Sequence, residues 1–236
     1  MKEDLPTEAV HMTRRNILKG TAAALAATAC GGAPAGALVP KGPRSVPAAH
    51  SPVDIDRFVA DCVAAAKDDR PQESVGEVLA RAVSDPRAML VAVGEPHKAG
   101  LNVFHRSANL TIFAATWTPQ MNLMPHNHLM WALIGIYTGR EDNILWRNED
   151  GRLNGYGAKC LFEGDVAALP ETAIHSVTNP LERFTGGIHI YGGDFFATKR
   201  TQWDPESLTE EPSDGEVIRR VFERENARAG CATDNG

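Results

Sequence analysis

Apolar positions in this chain change period twice. From Ile55 to Ala82 they recur at helical spacing, first as Ile55, Phe58, Val59, Cys62 and Ala66, then as Val75, Val78, Leu79 and Ala82. Ser51-Pro52-Val53-Asp54 reads as the start of the first helix, with Ser51 as N-cap and Pro52 in its first turn, and Ser74 with Glu77 reads as a capping box for the second. From Leu101 to Phe196 the period shortens to runs such as Leu110 to Trp117, Trp131 to Tyr137, Asn143 to Trp146 and Thr185 to Tyr191, separated by Gly, Pro and Asn. Many short strands with no helices between them predict a sandwich or barrel. Arg140-Glu141-Asp142-Asn143, after Gly139, reads as a polar turn between two of these strands. Ser213 and Glu216 then cap a last helix carrying Val217, Ile218, Val221 and Phe222, expected to fold back over the barrel or over a neighbouring subunit.

This pattern divides the chain into residues 1–37, a linker at 38–50, a barrel domain with N-terminal helices at 51–200, and a C-terminal tail with one helix at 201–236. Thr13-Arg14-Arg15-Asn16-Ile17-Leu18-Lys19-Gly20, followed by a short alanine-rich stretch and A-x-A sites, reads as a twin-arginine export signal. That stretch is too short to stay in a bilayer as a spanning helix. A periplasmic or extracellular protein is therefore expected, with lipid attachment at Cys30 as the lesser alternative. Cys62, Cys160 and Cys231 are odd in number and irregularly spaced, which does not suggest a disulfide framework.

The chain carries 24 basic and 30 acidic side chains, a formal net charge of −6. Removing residues 1–37 makes the balance slightly more acidic. An acidic protein has no general attraction to phosphate, which argues against nucleic acid or an anionic membrane as partner and favours a small soluble substrate.

The chemistry-bearing residues are histidines. His126 and His128 stand two apart in an apolar segment, so that on a strand both rings leave from one face. His175 lies on a later strand, after the turn marked by Pro170. Together they offer one ion three neutral imidazoles and no carboxylate, a donor set open to Fe(II), Ni(II), Cu(II) or Zn(II).

These two segments resemble the paired motifs of the cupin superfamily. Gly164, Pro170, His175 and Asn179 match the second motif, with Thr172 replacing its middle glycine. The first keeps His126, His128 and Gly139, but has Gln120 for its opening glycine and Ala132 or Leu133 where glutamate usually stands. The resemblance implies a mainly β fold, the cupin double-stranded β-helix or jelly-roll barrel, with N-terminal helices and a C-terminal helix outside it.

The segments Pro125 to Gly135 and Gly187 to Asp194 are similar to bacterial members of the cysteine dioxygenase-like group. That likeness implies a non-haem iron thiol dioxygenase, in which His126, His128 and His175 hold Fe(II) or another divalent metal. A thiol of the cysteine or 3-mercaptopropionate type would react with O2 to give its sulfinate. His189 and Tyr191 match the pair that steers oxygen transfer, and Arg106, in Phe104-His105-Arg106, matches the arginine that grips the substrate carboxylate. Two departures stand out. Gly187 replaces the serine whose hydroxyl tethers the histidine, and Leu133 replaces the cysteine that crosslinks the tyrosine in animal enzymes. Two other functions fit the same motifs: oxidation of a dicarbonyl or other chelating substrate, and non-catalytic binding of a metal or small ligand. The resemblance is also compatible with assembly as a homo-oligomer.

Overall fold

A computed structural model describes residues 51–231, so the export signal, the linker and Cys30 lie outside the described residues. Three helices, α1 (Ile55–Ala65), α2 (Pro71–Val83) and α3 (Pro86–Val93), precede eleven strands: β1 (Gly100–Arg106), β2 (Thr111–Trp117), β3 (Asn122–Asn127), β4 (Ala132–Thr138), β5 (Arg140–Glu149), β6 (Arg152–Phe162), β7 (Val166–Leu169), β8 (Ile174–Thr178), β9 (Thr185–Tyr191), β10 (Thr201–Trp203) and β11 (Glu210–Pro212). Helix α4 (Gly215–Arg228) closes the described chain.

The strands form two antiparallel sheets, ordered β1-β2-β9-β4-β7 and β11-β10-β3-β8-β5-β6. The run β3, β4, β5 and the run β7, β8, β9 each alternate between the sheets, and they pair with one another strand by strand. This is the double-stranded β-helix implied by the histidine motifs.

Why β4 and β9 read as unbroken apolar runs is explained by their layer. Every residue of both strands is buried, because one face of their sheet lines the barrel interior and the other carries the helices. The interior core holds Phe113, Trp117, Ile134 and Tyr191. The outer core packs Leu79, Val75 and Met89 of the helices against Leu133, Ile188 and Ile190. At Gly135 the Leu79 side chain stands where a Cβ would be, 2.9 Å away, so this glycine sets how closely α2 approaches the sheet.

Helix starts depart from the sequence reading. Asp54, not Ser51, caps α1 by accepting from the Arg57 N–H at 3.0 Å. Pro71 starts α2 a turn before Ser74, so Ser74 and Glu77 lie inside the helix instead of forming its cap. α3, capped by Asp85, was not anticipated. Asp214, one residue after Ser213, caps α4. The larger correction concerns Arg140 to Asn143. These residues are not a turn but the first four of β5, because Gly139 alone, at φ +80°, separates β4 from β5 as the chain passes from one sheet to the other.

Helix α4 does fold back over the barrel. Phe222 stacks on Trp117, Asn226 exchanges two hydrogen bonds with the Ala99 backbone, and Arg228 donates to the Pro119 carbonyl. No helix among the described residues is long and apolar enough to cross a membrane. Their three cysteines are all free.

Candidate metal centre

β3 and β8 lie side by side with His126 directly opposite His175. β3 is bulged between Leu123 and His126, at Pro125, whose missing N–H could not serve a regular ladder. The bulge lets Leu123, Met124 and His126 all turn inward. His128 follows just beyond the strand end, before Leu129, which takes a left-handed backbone at φ 54°.

All three rings are buried, and one nitrogen from each lies within 4.8 Å of the other two. His126 Nδ1 donates to the Met124 carbonyl at 2.9 Å, and His175 Nδ1 donates to Asn143 Oδ1 at 2.6 Å. Both rings therefore keep the Nε2 lone pair for the interior. His128 Nε2 stands 3.1 Å from His175 Nε2, while its own Nδ1 is buried with no hydrogen-bond partner. Ligand nitrogens held about 2.1 Å from one ion at roughly a right angle stand about 3 Å apart, the separation of the His128 and His175 nitrogens, and with His126 the cluster could hold a divalent metal. Burial is the chief cause that lowers the pKa of each ring, His126 to about 4 and His128 and His175 well below the ordinary histidine value. Neutral imidazole, the ligand form, is thus the resting state near pH 7.

Behind the rings lies a polar group that the sequence reading missed. Glu141 is fully buried. Its Oε1 accepts from Asn143 Nδ2 at 3.1 Å and its Oε2 from Trp117 Nε1 at 2.8 Å. The same Oε2 is 3.2 Å from His189 Nε2. That nitrogen makes no full hydrogen bond, and its contact with the carboxylate is electrostatic. Burial opposes the charge on Glu141, yet His189, Asn143 and Trp117 outweigh it and hold the carboxyl below its usual range.

His189 and Tyr191 both face inward from β9, with His189 Nδ1 3.3 Å from the Tyr191 hydroxyl. The Tyr191 ring packs edge-on against His128, centroids 4.9 Å apart. Burial pushes the phenol pKa up, so it stays a hydroxyl donor. Leu133 faces the helices rather than Tyr191; the residue in register with Tyr191 is Ala132.

A cavity of about 50 Å³ opens beside His126 and His175, walled by Phe113, Trp117, Tyr191 and Phe222. The structure does not bring Arg106 to it. Arg106 is half-exposed, bound to Asp194 through two hydrogen bonds of 2.9 and 3.1 Å, and lies against Phe196. The guanidinium in the cavity wall belongs to Arg200. It sits 3.9 Å over the Phe195 ring, its Nε is enclosed with no hydrogen-bond partner, and no carboxylate among the described residues pairs with it. Thr201 N–H to Asn127 Oδ1 at 2.9 Å, and the pairing of Gln202 with His126, hold this segment against the histidine strand. No sequence signal marked Arg200, which precedes a three-residue strand in a polar stretch.

The remaining motif residues are structural. Gln120 takes the left-handed backbone at φ 57° where the motif has glycine, and Asn179, fully buried, ties four backbone groups around the β2 and β8 ends.

No protein-family profile matches the chain. Among solved structures it is similar to a conserved protein with a double-stranded β-helix domain from Klebsiella pneumoniae, at 11% identity over 51% of this chain and 89% of that one, TM-score 0.33. It is also similar to an RmlC-like cupin family protein from Methanocaldococcus jannaschii, at 12% identity over 43% and 86%, TM-score 0.34. A cupin domain from Bordetella pertussis matches at 19% identity over 42% and 96%, TM-score 0.32. These likenesses concern the fold alone, and no residue role is taken from them. The strand pairing makes the protein a double-stranded β-helix, and its interior holds a three-histidine cluster that could hold a metal ion.

Proposed function

We propose that this protein is an Fe(II)-dependent dioxygenase of small carboxylated thiols, converting the thiol and O2 to a sulfinate. The observation that carries this reading is the meeting, at one small cavity, of a three-histidine cluster without a carboxylate ligand, two of whose rings line the cavity, and a guanidinium that pairs with no carboxylate among the described residues. Both features favour an anionic substrate, negative at each end.

Bound Fe(II) would supply open positions and the electron transfer through which both oxygen atoms reach sulfur, the thiol itself giving the electrons. The chain's own groups do the rest. His126, His128 and His175 are held neutral with their lone pairs inward, and a thiolate brings the negative charge they lack. Arg200 grips the carboxylate, a task suited to two parallel charge-assisted hydrogen bonds. Tyr191 keeps its proton and can donate it as a hydrogen bond toward the reacting sulfur and oxygen, with His189 steadying the hydroxyl. Phe113, Trp117 and Phe222 exclude water. The small cavity favours a short thiol over a larger chelating dicarbonyl.

Oxygen uptake tests the proposal. Protein loaded anaerobically with Fe(II) is expected to consume O2 with 3-mercaptopropionate or cysteine and to yield the sulfinate by mass spectrometry, with cysteamine a poorer substrate because it lacks the carboxylate. No uptake with any thiol rejects it. Export through the twin-arginine route remains part of this proposal, and recovery of the protein only in the cytoplasmic fraction of its cells would remove that part.

A further inference from the structure

Glu141 is a buried charge that the proposed chemistry does not use directly, and its three partners point in different directions. One arm runs through Asn143 to His175 Nδ1, on the ring whose other nitrogen faces the metal position. A second runs through His189 to the Tyr191 hydroxyl in the cavity wall. The third ends on Trp117, which forms part of that wall. A group that merely filled space would not be a carboxylate, since a buried charge costs several kcal/mol unless fully compensated.

Gly187 leaves this arrangement room. A Cβ there would sit 3.4 Å from His189 Nε2 and 3.0 Å from the Ile136 side chain, so β9 itself offers His189 no polar partner at that nitrogen. Glu141 reaches the same nitrogen from β5, across the barrel. Nothing else among the described residues brings a negative charge so near the three histidines: their other polar contacts are the Met124 carbonyl, Asn143 and one another.

We infer that Glu141 is the positioning residue of this centre. Its single carboxylate orients the ligand His175 through Asn143 and the His189–Tyr191 pair directly, and it places one negative charge outside the ligand set, next to the three imidazoles. This inference rests on the reading of the cluster as a metal site. It does not depend on the substrate being a thiol.

The test uses Co(II), whose visible spectrum reports ligand geometry and whose affinity is measured without turnover. In Glu141→Gln, which keeps the size and removes the charge, the dissociation constant for Co(II) is expected to rise about 10- to 100-fold. The visible bands are expected to shift, and kcat to fall more than KM rises. Asn143→Ser cuts only the arm to His175. It is expected to weaken Co(II) binding similarly while sparing the Tyr191 arm, and it serves should Glu141→Gln fold poorly. Folded variants that bind Co(II) as tightly as the wild type, with an unchanged spectrum, overturn the inference while leaving the metal centre intact. A wild-type protein that binds no Co(II) overturns both.

Discussion

Replacing Arg200 by Met separates what this residue does for substrate from what it does for the fold. In the folded protein the guanidinium gains about 1–2 kcal/mol from lying on the Phe195 ring. Against this, the enclosed and unpartnered Nε costs about 1–3 kcal/mol. Met keeps most of the apolar stem. These two effects offset one another, and removal of a largely buried, unpaired charge favours Met, so the variant is expected to unfold at a Tm no lower than that of the wild type. Substrate binding has no such cancellation. A charge-assisted pair of hydrogen bonds to a carboxylate is worth about 3 kcal/mol, which is roughly a 150-fold loss in kcat/KM for 3-mercaptopropionate. Cysteamine, without the carboxylate, should change by less than about threefold. Oxygen uptake with the two thiols, alongside thermal unfolding, measures all of this. Equal losses for both thiols would show that Arg200 does not hold the carboxylate. Arg106→Met is the companion measurement: its solvent-screened pair with Asp194 lies outside the cavity, so both thiols should react as with the wild type.

Other outcomes follow from the same contacts. Because burial lowers the His126 pKa to about 4 while the unfolded chain binds that proton near 6.5, its stability contribution is complete above pH 6.5 and is lost as pH falls toward 4, by about 3 kcal/mol. His128 and His175 act in the same direction, so urea unfolding of metal-free protein should show lower stability at pH 5 than at pH 7, and the reverse order would contradict the buried neutral rings. Gly139→Ala places a Cβ 2.2 Å from Thr185 Oγ1 at a backbone φ of +80°, and should cost more than about 2 kcal/mol in the same assay. In Asn179→Ala the Arg183 carbonyl and the Leu181 N–H lose their partner and the Thr118 carbonyl keeps only the Met121 N–H, an expected loss of about 3 kcal/mol. A wild-type-like urea midpoint for Asn179→Ala would show that water takes over those bonds.

What could be read from the sequence follows a physical division. Residues whose placement is set by local chain geometry were legible: His126 and His128 by their two-residue spacing, and the apolar strands by composition. Residues whose role depends on what another strand brings alongside were not. Glu141 and Asn143 sit in a charged tetrapeptide that looks solvent-facing, because nothing local tells that β5 turns these two side chains toward His175 and His189. Arg106 and Arg200 show the same ambiguity from opposite sides. Each is an arginine near an aromatic residue; only the pairing of β10 with β3 puts Arg200 beside the histidines, and only Asp194 draws Arg106 away. The missed helix α3 is short, and Pro86 at its start reads equally well as a turn.

The site's charges also constrain what can occupy it. With its imidazoles counted as neutral, a divalent ion and Arg200 bring three positive charges, and Glu141 returns one negative. An occupant carrying both a thiolate and a carboxylate removes the remaining two, whereas a neutral diketone removes none and an amine thiol at most one. In an enclosure walled by aromatic rings an uncompensated charge is far more costly than in water, so this balance discriminates among substrates before any shape complementarity does. It also gives the carboxylate's placement behind the histidines a reason. A glutamate bound to the metal would satisfy the ion and leave less attraction for a thiolate. Held instead on Asn143, Trp117 and His189, Glu141 would moderate the field of a bound ion while leaving its open positions to the proposed substrate.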